Sequence, residues 1–414
     1  MADDTGTTRA NSPRRKPAPA PSPDSKPAAG RRQPPSSKSG PKPARKATAA
    51  ESPATSAALG SHTGTVPGSP APSRPTTAPP PPHELVDDGW ETDFEPCPPP
   101  PPRSSADAYH AACTALGIVP SSHLAAAYSA GSTSVLMRYH GIGPHGAHAL
   151  AEILKLPHSG ITTLDLAHNR LGAGAAHLGA ALEINRTLAH LDVSGNNLRA
   201  DACRQLADML QYNVTVKTLA ARGNHIGDKG AHHFAAALRS NSTLTSLDLS
   251  RNDIGDMGAA ALGHSLAAND GLKELDISWN NIRGPGFTAF FGSVKDNAVL
   301  AHLRIHHNGM GDAVGALALY VSRSGALQTL DLTSTRLSDA ALATLARPLE
   351  GSHALEEVHF AGNPFTEAGA QIILKAATTS TSLKKINVKD VQMSQETRNK
   401  FMSLSTEKSV IVDV

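Results

Sequence analysis

The sequence predicts an α/β protein in which about ten similar units, each a short strand followed by a helix, stack into a horseshoe-shaped solenoid. First, one ten-residue pattern recurs at intervals of 27 or 28 residues. Second, apolar residues alternate with polar ones at the start of each copy, as in a half-buried strand. Third, apolar residues then follow at a three-and-four spacing, which places them on one helical face.

A proline-rich tail over residues 1–105 precedes the repeats. It contains most of the 31 prolines, with serine, alanine and few large apolar residues. Such a segment cannot bury enough surface to offset its ordering entropy, so we expect it to be disordered. Residues 1–50 are basic, whereas residues 84–95 (ELVDDGWETDFE) are acidic. These two blocks could attract one another or bind separate partners, and we expect the tail as a whole to be a tether or regulatory arm.

Short motifs in this tail predict contacts with other proteins. The proline runs 79–82 and 98–102 are typical of polyproline segments that bind SH3-like domains. The basic clusters 14–16 and 42–46 favour nuclear import or binding to an acidic surface. Low-complexity segments also contain such motifs by chance. Serines followed by proline, which predict kinase contacts, are Ser12, Ser22, Ser52 and Ser69.

We expect residues 106–133 to form an N-terminal helical cap. A solenoid needs such a cap because its end unit would otherwise expose apolar surface. The repeat domain then spans residues 134–394, and we expect residues 395–414 to form a C-terminal tail. The last unit departs from the pattern, with Val391 at a position where other units have asparagine. Apolar residues that predict the N-terminal cap are Tyr109, Cys113, Leu116, Leu124 and Tyr128.

An asparagine marks nearly every unit. We interpret it as structural, with its side-chain amide satisfying backbone groups where the chain turns and forming a ladder from unit to unit. A row of ligands is the less favoured interpretation. Thr335 replaces asparagine in one unit, and His140 takes this position in the first. The asparagines are Asn169, Asn196, Asn224, Asn252, Asn280, Asn308 and Asn363.

The unit around TSLDLSRNDI (245–254) illustrates the strand and helix of each repeat. Leu247 and Leu249 are expected to point into the core, with Ser246, Asp248 and Ser250 on the opposite face. In the following helix, Ala259, Leu262 and Leu266 share one face. Acids at the helix starts, Asp228 and Asp256, suit an N-cap or first-turn position.

The frame L-x-x-L-x-L-x-x-N with a helix in a 28-residue unit resembles the ribonuclease-inhibitor-like class of leucine-rich repeats, over residues 135–393. The segment YHAACTALGIVPSSHL (109–124) and the following VLMRYHGIGPHGAHALAEIL (135–154) resemble the leucine-rich repeat-containing protein 74 family. That family implies a repeat scaffold with no established chemistry. The larger class implies protein binding through the concave strand face of a leucine-rich repeat solenoid.

One motif favours a dinucleotide-binding enzyme before the repeat is considered. Residues 141–146 match G-x-G-x-x-G, and Asp165 stands where a ribose-binding acid would. The same slots recur in later units, however: Gly143 and Gly146 correspond to Gly227 and Gly230. The motif is therefore a repeat element. The sequence also contains no Walker A motif, nucleophile elbow or H-E-x-x-H motif, so we expect no cofactor and no enzymatic activity.

Composition limits the remaining classes. The repeat domain is nearly neutral, which gives no indication of nucleic-acid binding. No apolar run is long enough for a membrane span, and the start MADDTGTTRANSPRRK is unlike a secretion signal. Three scattered cysteines, Cys97, Cys113 and Cys203, fit a reducing compartment. We expect a cytoplasmic protein, with the nucleus as an alternative and secretion excluded.

Candidate partner-binding residues lie at outward strand positions or just beyond them. Exposed tryptophan and arginine are enriched in binding hot spots. The alternative is that ten units place some bulky residues on the inner face by chance. Spacing disfavours a metal site, since His302 and His306 are about 13 Å apart along a strand. The candidates are Trp279, Arg304, His306, His307, His359, Arg222 and Arg251.

Other recurring polar residues have competing interpretations. The aspartates at the strands could form an acidic binding stripe, but repeat consensus explains them better. Asn185, Asn213 and Asn241 begin formal glycosylation sequons at one repeat position, which we discount without a signal peptide. The aspartates are Asp165, Asp192, Asp248, Asp276 and Asp331.

Together these features predict a non-enzymatic scaffold that binds a protein partner through its concave face. The alternative is a GTPase activator, since Ran GTPase-activating protein has the same class of repeats. The strongly acidic C-terminal segment of that activator has no counterpart in the mixed-charge ending QETRNKFMSLSTEKSVIVDV (395–414).

Overall fold

The computed structural model describes residues 104–157 and 159–414. The predicted motifs of the N-terminal tail lie outside the described residues. The same is true of the tail's basic and acidic blocks and of Cys97. Within the described residues, eleven strands and twelve α-helices follow one another along the chain. The chain is thus an α/β leucine-rich repeat solenoid, as the repeat period predicts.

The bounds of these elements show one strand and one helix in each unit. The strands are β1 Ser134–Leu136, β2 Thr163–Asp165, β3 His190–Asp192, β4 Thr218–Ala220, β5 Ser246–Asp248, β6 Glu274–Asp276, β7 His302–Arg304, β8 Thr329–Asp331, β9 Glu357–His359, β10 Lys385–Asn387 and β11 Ile411–Asp413. The helices are α1 Ser105–Ala115, α2 Ser122–Ser129, α3 Gly143–Leu154, α4 Ala175–Ile184, α5 Arg199–Leu210, α6 Gly227–Leu238, α7 Asp256–Leu266, α8 Gly284–Val294, α9 Val314–Arg323, α10 Asp339–Gly351, α11 Glu367–Thr379 and α12 Gln395–Glu407.

All the described strands form one parallel sheet in sequence order. Equivalent residues pair from unit to unit, as Leu247 does with Leu219 and Leu275. In β1 to β10 the middle residue is buried and the two flanking residues are partly or fully exposed. We call the surface made by these flanking residues the strand face. The segments that leave the C-terminal ends of the strands form the loop edge.

The helices form a second layer in which each one from α3 to α12 contacts the next. In α7, Ala259, Leu262 and Leu266 are fully buried, as their spacing predicts. Small residues permit this close approach: a Cβ added to Gly263 would lie 2.7 Å from the Cα of Phe290 in the neighbouring helix. The core is therefore one continuous layer between sheet and helices.

Both ends of the solenoid carry additional elements. At the N-terminal end, α1 packs against α3, and α1 begins at Ser105, inside the segment predicted as tail. At the other end, residues 395–414 differ from the predicted tail, because they form α12 and a strand that pairs with β10. Phe401 and Leu404 of α12 are buried three residues apart, which explains why this segment packs.

One strand residue also differs from prediction. Ser250, expected on the strand face, is buried. The reason is that β5 ends at Asp248 and the chain turns there, with the Ser250 N–H donating to Asp248 Oδ1 at 2.8 Å. In this unit the strand face is therefore formed only by Ser246 and Asp248.

Candidate protein-binding surface

The loop edge is held by a column of buried asparagines, which we call the first asparagine column. The Asn224 amide illustrates it: Nδ2 donates to the Ala221 carbonyl at 2.9 Å and to the Val193 carbonyl of the preceding unit at 3.0 Å. Its Oδ1 accepts the Asn196 N–H at 2.8 Å. Each member donates to a preceding unit's carbonyl; the members are Asn169, Asn196, Asn224, Asn252, Asn280, Asn308 and Asn363.

A second asparagine column lies where the helices end. The sequence pattern did not predict this structural role. Asn213 Nδ2 donates to the Leu182 carbonyl of the preceding helix at 2.6 Å, and its Oδ1 accepts the N–H groups of Thr215 and Val216. Recurrence at one slot was the available signal, but we interpreted these residues only as discounted sequons. The members are Asn185, Asn213, Asn241, Asn269 and Asn297, and Ser324, Ser352 and Ser380 take this position in later units.

Aspartates close the ends of several strands. Asp276 Oδ1 accepts the Ser278 N–H at 2.9 Å, and the same bond recurs at Asp165, Asp192, Asp248 and Asp331. Each carboxylate thereby uses one oxygen in its own turn. Burial raises the pKa of the Asp248 carboxyl, and the charge of Asp276 raises it further. These acids are therefore tied into the repeat structure while forming part of the strand face.

At the N-terminal end of the sheet, one arginine forms salt bridges with two of these aspartates. Arg138 Nη2 lies 3.0 Å from Asp165 Oδ2 and 3.0 Å from Asp192 Oδ2. The charge of Asp165 raises the pKa of the Arg138 guanidinium. Farther along, the register places Arg304 of β7 between Asp276 of β6 and Asp331 of β8. The strand face is thus mainly acidic, with Arg304 as a basic residue between two acids.

Three of the predicted contact residues form a stack on the loop edge. Arg251, Trp279 and His307 each immediately precede an asparagine of the first column, in three consecutive units. The Trp279 and His307 rings are 3.7 Å apart and nearly parallel, and Arg251 Cζ lies 4.1 Å from the indole centroid. Trp279 is still 42% exposed. We call these three residues the loop-edge stack.

The backbone of the loop-edge stack is left-handed. Trp279 has a φ of 53°, Arg251 of 56° and His307 of 56°. Glycine fills the same slot in other units, at Gly195, Gly223 and Gly362, also with positive φ. A bulky side chain in this conformation costs about 1 kcal/mol or more. The fold accepts glycine at this slot, so tryptophan is not needed to form the turn.

The structure places His306 and Arg222, but not His359, beside the loop-edge stack. His306 Nδ1 lies 2.8 Å from His307 Nδ1. Burial lowers the pKa of His307, and His306 lowers it further. His359 of β9 instead pairs with Glu357 at 3.0 Å, so it belongs to a separate polar cluster. Arg222 of the fourth unit is exposed on the other side of the stack.

The described residues also bear on metal sites, membrane spans and reactive thiols. Across residues 104–157 and 159–414, no cluster of three or more His, Cys, Asp or Glu side chains is arranged to hold a metal ion. No helix in that part of the chain is both long and apolar enough to cross a membrane. Burial raises the pKa of the Cys203 thiol to about 12, which keeps it protonated and unreactive.

A family model described as Leucine Rich repeat matches residues 185–207, 240–263 and 271–291. These three segments lie within the leucine-rich repeat solenoid described above. No curated protein matches the chain.

Two solved structures are similar to part of the chain. One is leiomodin-1 actin-binding site 2, which is 26% identical over 31% of this chain and 75% of its own, with a TM-score of 0.28. The other is a Caenorhabditis elegans tropomodulin C-terminal domain, 8% identical over 36% of this chain and 92% of its own, with a TM-score of 0.32. Each of these similarities covers about a third of this chain.

Proposed function

We propose that this chain is a non-enzymatic scaffold that binds a protein partner through its strand face and loop edge, centred on units five to seven. The observation that carries this proposal is the loop-edge stack. A large, exposed aromatic residue is held rigid between an arginine and a histidine. Rigid tryptophan and arginine side chains lose little entropy on binding, which makes them typical hot-spot residues.

The slot of Trp279 does not require tryptophan. Glycine occupies it in three other units, and smaller or polar residues such as Ser334 and His168 occupy it in others with the same positive φ. The size of the indole is therefore not set by the turn, and we take contact with a partner to be its role.

The charge pattern of the neighbouring strands favours a protein over a nucleic acid. Arg304 is exposed between Asp276 and Asp331, and Glu274 adds another acid to β6. A polyanion would meet repulsion from these acids, whereas a protein surface can present both signs of charge. A mixed strand face therefore suits a protein partner.

Finer assignments extend this proposal. The resemblance of residues 109–124 and 135–154 supports membership of the leucine-rich repeat-containing protein 74 family, and the 28-residue period supports the ribonuclease-inhibitor-like class. We propose a cytoplasmic location, with SH3-like domains or kinases as partners of the N-terminal tail. We also propose that the seven predicted contact residues act as one surface, with His359 and Arg222 at its margins.

Site-specific photo-crosslinking tests the proposal. A photoreactive amino acid replaces Arg304, exposed on the strand face, or Arg204, exposed on α5 as the control. We expect a discrete partner adduct from the Arg304 position and none from the Arg204 position. Equal adducts from both positions, or adducts only from α5, contradict binding through the strand face.

A pair of glycine substitutions then tests the loop-edge stack. Trp279→Gly removes the indole, whereas His168→Gly changes the same slot in an earlier unit, where φ is 58°. Both variants are expected to fold, since glycine suits this slot. Losing a hot spot costs about 2 kcal/mol or more, so Trp279→Gly should weaken partner binding roughly 30-fold. Unchanged binding in Trp279→Gly, or equal weakening in both variants, contradicts the proposal.

A further inference from the structure

A pocket opens on the loop edge beside the stack, over the units of β6, β7 and β8. Its volume is about 590 Å³, and its lining includes Trp279, Arg283, His307, Ser334 and Arg336. Arg283 and Arg336 are exposed. The pocket spans three consecutive units and is open to solvent along this length. Its shape suits an extended chain better than an enclosed small molecule.

The side chains in the pocket supply donors and positive charge. Two guanidiniums, the Ser334 hydroxyl and the Asn281 amide can all donate hydrogen bonds. None of the residues that line this pocket is acidic. The nearby Asp256 is not among the lining residues, and one of its carboxylate oxygens is occupied, because Oδ1 accepts the backbone N–H of Arg283 at 2.7 Å. The pocket is therefore complementary to an anion.

Trp279 acts as a fixed wall of the pocket. It lies between Arg251 and His307 of the neighbouring units, so both faces of the indole are covered and its edge is left for a ligand. Burial and His306 lower the pKa of His307, which disfavours a positive charge on this imidazole. The positive charge of the pocket therefore comes from its arginines.

We propose that this pocket binds an acidic peptide segment of the partner protein, with carboxylates paired to Arg283 and Arg336. This proposal rests on the proposed function and names the chemistry of its partner. The two arginines belong to units two apart, and equivalent points of such units are roughly 10 Å apart at the usual strand spacing. Acids two or four residues apart in an extended peptide are about 6.7 Å or about 13 Å apart, so these two spacings bracket the distance between the units.

The surrounding acids argue against a nucleic acid in the pocket. Asp276 and Asp331 of the strand face belong to the same units as the pocket arginines. A phosphate backbone crossing from pocket to strand face would meet these acids, whereas a peptide can place acids over the arginines and neutral residues elsewhere. The pocket and the strand face together therefore favour a ligand whose acidic groups are separated by neutral residues over one with continuous negative charge.

Fluorescence anisotropy with the full chain tests this assignment. The probe is a labelled twelve-residue peptide of alternating Glu and Ser, and the control peptide has Gln in place of Glu. One double variant carries Arg283→Gln and Arg336→Gln; the matched control carries Arg204→Gln and Arg239→Gln, which removes the same charge from exposed positions on or beside α5 and α6.

We expect the Glu peptide to bind about tenfold or more tightly than the Gln peptide, since each charge-assisted pair contributes roughly a factor of ten. The pocket double variant should lose this preference, and the control double variant should retain it. Equal losses in both variants indicate general charge attraction and overturn the proposal. Tenfold tighter binding of a phosphoserine version, or displacement by single-stranded DNA, overturns the carboxylate-peptide assignment.

The crosslinking experiment separates this proposal from the proposed function. If a partner adduct forms at the Arg304 position while the Glu peptide fails to bind, only the pocket assignment is wrong. If both fail, the protein-binding function itself fails.

Discussion

Replacing Asn224 with alanine removes one member of the first asparagine column while leaving the apolar core intact. The side chain is fully buried and makes donor bonds to the Ala221 and Val193 carbonyls and an acceptor bond from the Asn196 N–H. A net contribution of about 1 kcal/mol for each of three bonds gives a destabilisation of about 3 kcal/mol. The substitution also leaves the buried Asn196 N–H without an acceptor. We therefore expect a destabilisation toward the upper end of the range for replacing a polar residue with alanine.

Urea unfolding of the full chain measures this loss, and the matched control is Asn281→Ala. Asn281 follows Asn280 directly but is exposed, so its removal should change the free energy of unfolding by less than about 0.5 kcal/mol. Amide hydrogen exchange at Asn196 should also accelerate in Asn224→Ala, because its acceptor is gone. Equal, small effects of both substitutions, with unchanged exchange at Asn196, would refute the structural role of this column.

Two further predictions concern stability. Thr335 Oγ1 donates to the Leu332 carbonyl of its own unit at 2.7 Å and lies 3.5 Å from Asn363 Oδ1 of the next unit. Its side chain makes no bond to a carbonyl of the preceding unit, as the asparagines do, so Thr335→Asn should raise the free energy of unfolding by about 1 kcal/mol. A loss of stability in urea unfolding would contradict this. Hydrogen bonds from the Thr397 hydroxyl and the Ser394 N–H lower the pKa of Glu367 from 4.5 to about 2. The ionised Glu367 carboxylate therefore contributes stability above pH 4.5, and this contribution is lost as pH falls toward 2. Glu367→Gln should make the melting temperature depend less on pH across this interval, whereas the exposed Glu396→Gln should not. Parallel curves of melting temperature against pH for both variants and the native chain would contradict this.

The repeat pattern predicts most of the fold, because each unit solves the same packing problem with the same residue types. Strand positions such as Leu247 and Leu249, and the helical face of Ala259, Leu262 and Leu266, follow from periodicity alone. The last unit could not be predicted in this way. Its strand, Ile411–Asp413, has no asparagine after it, and only the spacing of Phe401 and Leu404 signals the helix before it.

The candidate site was less predictable than the fold. Sequence position shows that Arg251, Trp279 and His307 precede equivalent asparagines, but not that their side chains stack. Stacking depends on the left-handed backbone of that slot, which a non-glycine residue rarely adopts and periodicity does not reveal. The pocket was also missed, because Arg283 and Arg336 occupy different positions within their repeats and come together only across three units.

The second asparagine column gives three apparent sequons a structural origin. Thr187 and Thr215, two positions after Asn185 and Asn213, donate their N–H groups to the asparagine oxygens. The amide nitrogens that would carry a glycan instead donate to buried helix-end carbonyls. Native folding and N-glycosylation at these positions are thus mutually exclusive chemical fates of the same atoms. A sugar on Asn213 would mark a molecule that never completed its solenoid.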